Sequence, residues 1–280
     1  MSIDTSPLPT EPLIRSSAIP RRIGLAITGG WALVAIFAPV LAPHNQAELL
    51  GDSAFTQASS SALLGTDYLG RDVLSRLLFG ARLTLGLATV TTVIAFAGGV
   101  LIGGAAGLIR GIVDTLISRA VDALMAFPSI MLALIVITGL GTSLPVLVGT
   151  VAVIEGTRVF RLARALTMEI AVADFVEVAR LQGEGLVWII TKEILPNALH
   201  PLAADLGLRF TYAILFISAL SFLGLGVQPP QADWGGMVRE NMSGLLLGSL
   251  APMAPAAAIA SITIGVTLTI DSFLARRRAH

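Results

Sequence analysis

The sequence predicts an all-α integral membrane protein of six transmembrane helices with both termini in the cytoplasm. Three observations lead there. Of 280 residues, 55% are hydrophobic and only 13% charged, with a mean hydropathy of +0.84, against roughly 25% charged in soluble domains. The apolar residues come in unbroken runs of about 20, the length of a helical crossing, rather than in the short alternating segments of a barrel; lipid leaves the backbone no other fully bonded form. The basic residues are also segregated. Suppose the termini, the Arg110 to Arg119 connection and the Arg158 to Pro201 region are cytoplasmic. Together with the adjoining inner end of the fifth span they then hold all eighteen basic residues except Arg71, Arg76, Arg82 and Arg239, as the positive-inside rule requires.

Residues 1–20 carry four prolines with several Ser and Thr and no apolar period, which reads as a disordered cytoplasmic tail. A transmembrane domain covers 21–275. Its first span, 23–42, follows Arg21 and Arg22; its full length and the Pro43 directly after it favour an uncleaved span over a signal peptide, and Pro39 bends its outer end. An outer loop covers 43–82. Near its end Val73, Leu74, Leu77 and Leu78 recur at helical spacing with Arg71, Asp72, Ser75 and Arg76 between them, the pattern of an amphipathic helix lying at the interface and leading into a span.

A five-helix core covers 83–275. The second span, Leu83 to Ile109, carries Gly99, Gly103 and Gly107 four apart, which lets another helix approach closely. A short loop with Arg110, Asp114, Arg119 and Asp122 leads to a third span, Ala123 to Leu140, kinked at Phe127-Pro128. After a tight turn the fourth span runs from Leu144 to Arg158. A cytoplasmic connection, 159–201, precedes a fifth span from Leu202 to Leu225. A loop rich in Pro and Gly, Gly226 to Gly244, precedes a sixth span from Leu245 to Leu274, and residues 276–280 form a basic cytoplasmic tail.

Several chemistries are disfavoured. The chain has no cysteine, hence no disulfide and no thiolate metal site. His44, His200 and His280 lie in different connections, and no metal site is expected in this chain. Lys192 is the only lysine and follows Thr191, so a phosphate loop ending in Gly-Lys-Ser/Thr is missing and ATP is not hydrolysed here by that route. Zero net charge gives no sign of nucleic-acid binding. Glu155 with Arg158, Asp205 with Arg209, and Asp271 fall near the expected cytoplasmic edges, the first four paired at i,i+3 and i,i+4. Spans otherwise so free of ionisable groups argue against a proton- or sodium-driven carrier with a mid-membrane relay, and against a membrane enzyme. Asn241-Met242-Ser243 matches a glycosylation sequon, a weak three-residue signal.

The polar stretch from Glu177 to Asn197 concentrates Glu177, Arg180, Glu184, Lys192 and Glu193 in one connection of a charge-poor chain. From Asp174, the apolar Phe175, Val178, Ala179 and Leu181 fall mostly on one helical face. Gly183 and Gly185 interrupt the helix, Leu186 to Ile190 restart it, and Pro196 ends or bends it. Two short helices at a glycine corner form a knob suited to a soluble partner. A plain solvated linker need not keep Phe175 and Trp188.

In these residues the chain resembles the permease subunits of bacterial ABC importers. Their cytoplasmic signature is Glu-Ala-Ala, three residues, Gly, nine residues, then Ile-x-Leu-Pro. Glu177, Ala179, Gly183, Leu195 and Pro196 match it in spacing, with Val178 in place of the middle Ala and Glu193 in place of Ile. The segments G-T-D-Y-L-G-R-D-V-L-S-R, A-F-P-S and S-F-L-G-L-G-V-Q-P-P with Asp233-Trp234-Gly235 are similar to the dipeptide/oligopeptide/nickel branch, and within it to the second, C-type, permease. The resemblance covers roughly residues 22–275, and the chain is identified as a member of that family.

The resemblance implies a type I ABC-importer permease fold in a bacterial inner membrane, with no catalytic residue, metal or cofactor in this chain. It implies a B-type permease, two ATPase subunits that hold ATP and Mg, an extracytoplasmic solute-binding protein and membrane lipid as partners. The loop with Phe175, Glu177, Val178, Ala179, Arg180, Gly183, Leu195 and Pro196 would couple to an ATPase, Glu177 engaging a basic residue there. Outer segments at Thr66, Asp67, Pro229 and Trp234 would face the binding protein. Di- and oligopeptides are the expected solutes, with nickel, glutathione or opine-like solutes as alternatives in the same class. An ATP-independent channel or carrier is the alternative of another class.

Overall fold

A computed structural model describes residues 18–51 and 53–275; of the expected tails, 1–20 and 276–280, residues 18–20 are helical, as the first residues of α1, and the rest lie outside the described residues. All the regular structure is helical: α1 (Ala18–Leu41), α2 (Val73–Ile109), α3 (Gly111–Ala126), α4 (Ser129–Leu140), α5 (Leu144–Ile170), α6 (Asp174–Leu181), α7 (Leu186–Trp188), α8 (Leu195–Phe222), α9 (Trp234–Glu240) and α10 (Met253–Ala275). Four helical rods are long and apolar enough to cross a membrane: Ile19–Leu41, Val73–Ile109, Leu186–Phe222 and Met253–Phe273. A fifth crossing arises if α3 and α4, bent by 93° at their junction, count as one span. At 27 residues, α5 is long enough to span, but it carries Glu155, Arg158, Arg161, Arg164 and Glu169 and is not apolar enough to qualify.

The bundle is organised on α2. The glycines expected to permit close approach do so against α5. A Cβ on Gly99 would lie 2.5 Å from Val159 Cβ, one on Gly103 2.5 Å from the Phe160 carbonyl, and one on Gly107 2.8 Å from the Arg164 carbonyl. The backbones pack where no side chain could stand. The main core joins α2, α4, α5, α8 and α10 around Ile137, Leu147, Val151, Ile214, Ile217 and Ile262. The first helix leans on α10, where Gly24 sits against Gly265 and Thr269 and the Trp31 indole N–H donates to Ser261 Oγ at 2.8 Å.

Several element boundaries differ from those read in the sequence. Val73 to Leu78 form no separate interfacial helix; they are the first turns of α2, started by Asp72, whose carboxylate accepts from the Leu74 and Ser75 amides. Arg71, Asp72, Ser75 and Arg76 are buried rather than solvated, because the outer loop and α9 fold over them. The loop from Arg110 to Asp122 is instead the helix α3. At Phe127-Pro128 the missing amide and the extended Phe127 (ψ 142°) give a full break rather than a kink. The fourth helix runs through to Ile170. Pro196 does not end the helix restarted at Leu186, since a π-helical turn, Ile189–Ile194, joins α7 to α8 directly before it and the rod runs on to Phe222. Leu245 to Leu247 are a 3-10 turn, so the last span begins at Met253.

Candidate functional site

The helix α6 has acidic Asp174 and Glu177 in its first turn and Arg180 in its last, each sign favoured by the helix dipole at its end. It ends in a Schellman motif: the Gly183 amide donates to the Arg180 carbonyl at 3.0 Å and the Glu184 amide to Ala179 at 3.1 Å. This closure needs a left-handed residue, and Gly183 has φ +83° with open space around it. The glycine is therefore required by the backbone and not by crowding.

Two apolar stripes run along α6, not one. Val176 and Ala179 are buried against Leu108, Ala171, Ile189, Ile190 and Ile194, which anchors the corner to the inner end of α2 and to the π-helical turn. Phe175, Val178 and Leu181 point away and are 43%, 51% and 82% exposed. Val172 and Val187 extend the exposed patch. Glu177 and Arg180 are exposed too, and among the described residues neither forms an ion pair within the chain. Leu195 is half-buried and Pro196 exposed in the first turn of α8. Ala179 thus anchors the corner rather than offering surface. Sequence reasoning missed Val176 as the true inward residue, although its i,i+3 spacing to Ala179 carried the signal.

The outer residues have a different fate. Thr66, Asp67 and Trp234 are fully buried and offer no surface of their own; Pro229 is exposed. Asp67 accepts from Arg71 Nε at 2.7 Å, Arg76 Nε lies 3.3 Å from the same carboxylate, and Arg76 Nη2 reaches Glu240 at 3.1 Å. This network ties the loop before α2 to α9. Trp234 packs beside Gly80, its indole donating to the Leu77 carbonyl at 3.0 Å, and meets Trp31 edge to face at 4.9 Å. Asp233 caps α9, accepting from the Gly235 and Gly236 amides; burial pushes its carboxyl up to about 6. Asn241 is fully buried, with its amide committed to the Met237 carbonyl and the Tyr68 amide, so the sequon offers no acceptor for a glycan.

The largest departure concerns the charges of α5 and α8. Because α5 continues to Ile170, Glu155 and Arg158 lie near its middle, and Arg209 near the middle of α8. The expected pairs are present: Arg158 to Glu155 at 3.3 Å and Arg209 to Asp205 at 3.1 Å. A third contact joins them, Arg209 Nη1 to Glu155 Oε2 at 2.8 Å across the helix interface. No group of three or more potential metal ligands occurs among the described residues.

With this geometry in place, the chain can be compared with known proteins. Residues 99–278 match the family described as binding-protein-dependent transport system inner membrane component. The chain is 40% identical over 210 residues to the di/tripeptide transport system permease protein DppC of Pseudomonas aeruginosa, covering 73% of this chain and 69% of that protein. It is 35% identical to the dipeptide transport system permease protein DppC of Alkalihalophilus pseudofirmus over 89% of this chain and 82% of that one. It is 31% identical to the glutathione transport system permease protein GsiD of Pectobacterium atrosepticum, over 85% and 79%.

Proposed function

The chain belongs to the family of binding-protein-dependent transport system inner membrane components, and from that premise we propose that it carries peptides inward as one transmembrane half of an ATP-driven importer. It is the non-enzymatic, membrane-spanning subunit, and hydrolysis resides on separate subunits. Dipeptides and tripeptides are the solutes named for the relatives that match it at 40% and 35% identity; glutathione, itself a tripeptide, is the solute named for a relative at 31% and is the alternative within the class.

The observation that carries the coupling reading is the exposed corner of α6. A small helix presents Phe175, Val178, Leu181, Glu177 and Arg180 outward on a rigid Schellman turn while Val176 and Ala179 fasten it to the bundle. An apolar patch flanked by an acid and a base that have no ion-pair partner among the described residues suits docking on a soluble ATPase. Through the π-helical turn this corner continues into α8 without a flexible break, so movement of the ATPases would reach the spans as a rigid displacement, biasing an equilibrium between inward- and outward-open states. The partners in this reading are a B-type permease, two ATPases holding ATP and Mg, and a solute-binding protein meeting the outer cap near Pro229.

The same reading takes α5 and the α3–α4 pair as the remaining two of six crossings, with both termini cytoplasmic by the distribution of arginines. It keeps a transmembrane domain over 21–275 between two short cytoplasmic tails, with the first span, outer loop, five-helix core and coupling connection as its parts. The test is reconstitution. Peptide uptake into liposomes is expected only when the ATPases, ATP and the binding protein are supplied. Uptake by this chain alone without ATP would contradict the importer reading and favour a channel or carrier.

A further inference from the structure

In the charge network of α5 and α8, formed by Glu155, Arg158, Asp205 and Arg209, the most exposed member is Arg158. Glu155 gives its closer contact, 2.8 Å, to Arg209, which also holds Asp205 at 3.1 Å. Arg158 is left with the second Glu155 oxygen at 3.3 Å, the Ser129 hydroxyl at 3.5 Å, and the Tyr212 ring 5.6 Å away. Its fork makes no bidentate pair, the geometry in which guanidinium binds most strongly. Its side chain is 37% exposed, whereas that of Glu155 is 4% exposed. An exposed guanidinium partway along a span is expensive on a lipid face, so such residues face a cavity or the bundle interior.

A cavity is present there. Arg158, Ser129, Thr157, Leu132 and Val153 line a space of about 40 Å³. The break between α3 and α4 places the Ser129 hydroxyl beside it. Sharing Leu124, Leu132, Val153 and Ile154 with this cavity, an apolar groove of about 310 Å³ continues past Val136, Leu140, Pro145 and Val146 toward the α4–α5 turn. A cation with a hydroxyl donor at one end of an apolar groove matches the last residue of a peptide, carboxylate first and side chain behind.

We propose that Arg158, with Ser129, is a carboxylate-recognising station on the translocation route, taking the free C-terminus of the passing peptide. The proposal rests on the reading of the solute as a peptide. It assigns the route to the face where α4 and α5 meet, and it gives the network of Glu155, Arg209 and Asp205 the task of holding Arg158 in place.

The chain has no cysteine, so Arg158→Cys places one unique thiol in it. In the complete importer, with binding protein and ATPases, this variant should lose about tenfold or more of free-acid dipeptide uptake, the loss of one charge-assisted hydrogen bond. The membrane-impermeant trimethylammonioethyl methanethiosulfonate should react with it and restore a substantial part of that uptake. The sulfonatoethyl reagent should react and restore nothing. Failure of both reagents to react would overturn the proposal, since a route-lining position is wet. Equal rescue by both, or undiminished uptake by the untreated variant, would overturn it too. A variant that fails to assemble is replaced by the pair Arg158→Lys and Arg158→Gln, of which only the first should retain uptake; equal activity of the two contradicts the proposal. If the wild-type importer moves no free-acid peptide at all, the peptide reading fails, and thiol reactivity still reports whether the position is wet.

Discussion

Arg209 on α8 reaches across to Glu155 on α5 at 2.8 Å, with both side chains at least nine-tenths buried. This contact joins two local pairs into one network through the middle of the bundle. Removing one partner of a buried pair strands the other charge. Arg209→Met is therefore expected to lower the stability of the solubilised protein by about 3–5 kcal/mol. The double variant Glu155→Gln/Arg209→Met should be less destabilised than the two single losses added together, as read by denaturant unfolding.

The α2–α5 seam gives a second prediction. Gly99→Val and Gly103→Val each drive a side chain into α5, where even the Cβ would stand 2.5 Å from existing atoms. Each should cost at least about 1–3 kcal/mol or prevent assembly. Gly98→Val, on the same helix with nothing within 4 Å of its Cβ, should leave the thermal midpoint nearly unchanged.

Asp233 predicts a pH dependence of the outer cap. Burial raises its carboxyl from 3.8 to about 6, so the folded state binds this proton more tightly than the unfolded chain does. Its contribution to stability is complete below pH 3.8 and lost as pH rises through about 6. The change is on the order of 2–3 kcal/mol. Hydrogen exchange of the α9 amides should accordingly be slower, after correction for intrinsic rates, at pH 5 than at pH 7.5. Asn is as good a helix cap as Asp and does not titrate, so Asp233→Asn should remove the difference while keeping α9 formed.

The outward stripe of α6 supplies another prediction. Phe175→Ser together with Leu181→Ser removes apolar side chains that lie outside the anchoring cluster, and the folded midpoint should stay within about 0.5 kcal/mol of the parent. Retention of the ATPases through purification should fall. Val176→Ser, facing the anchoring cluster, should instead destabilise the chain.

The membrane class, the glycine seam and the glycine corner were legible because each follows from a local rule: run length, small residues four apart, a left-handed position closing a helix. Depth was not legible. Arg158 read as the end of a span because a charge usually marks a membrane edge, yet α5 continues for three more turns, and the closest partner of Glu155 is Arg209, 54 positions away in sequence. The outer motifs were recognisable as motifs, but their burial was not. Asp67 and Trp234 sit where they do because α9 folds back over the start of α2, a long-range arrangement that no window of sequence contains. The two stripes of α6 were read as one because residues 175, 176, 178 and 179 are all apolar, and it is the packing partner that separates inside from outside.

The central claim is that energy reaches this chain from ATPases through the corner at Glu177 and Gly183. Glu177→Ala removes the exposed acid, and Gly183→Pro imposes negative φ where the backbone stands at +83°, so the turn cannot close as it does. The most direct measurement is ATP-dependent peptide uptake by the complete importer carrying both changes, compared with the parent at equal membrane insertion. Uptake is expected to be abolished while the protein remains inserted. Undiminished ATP-dependent uptake would contradict the account.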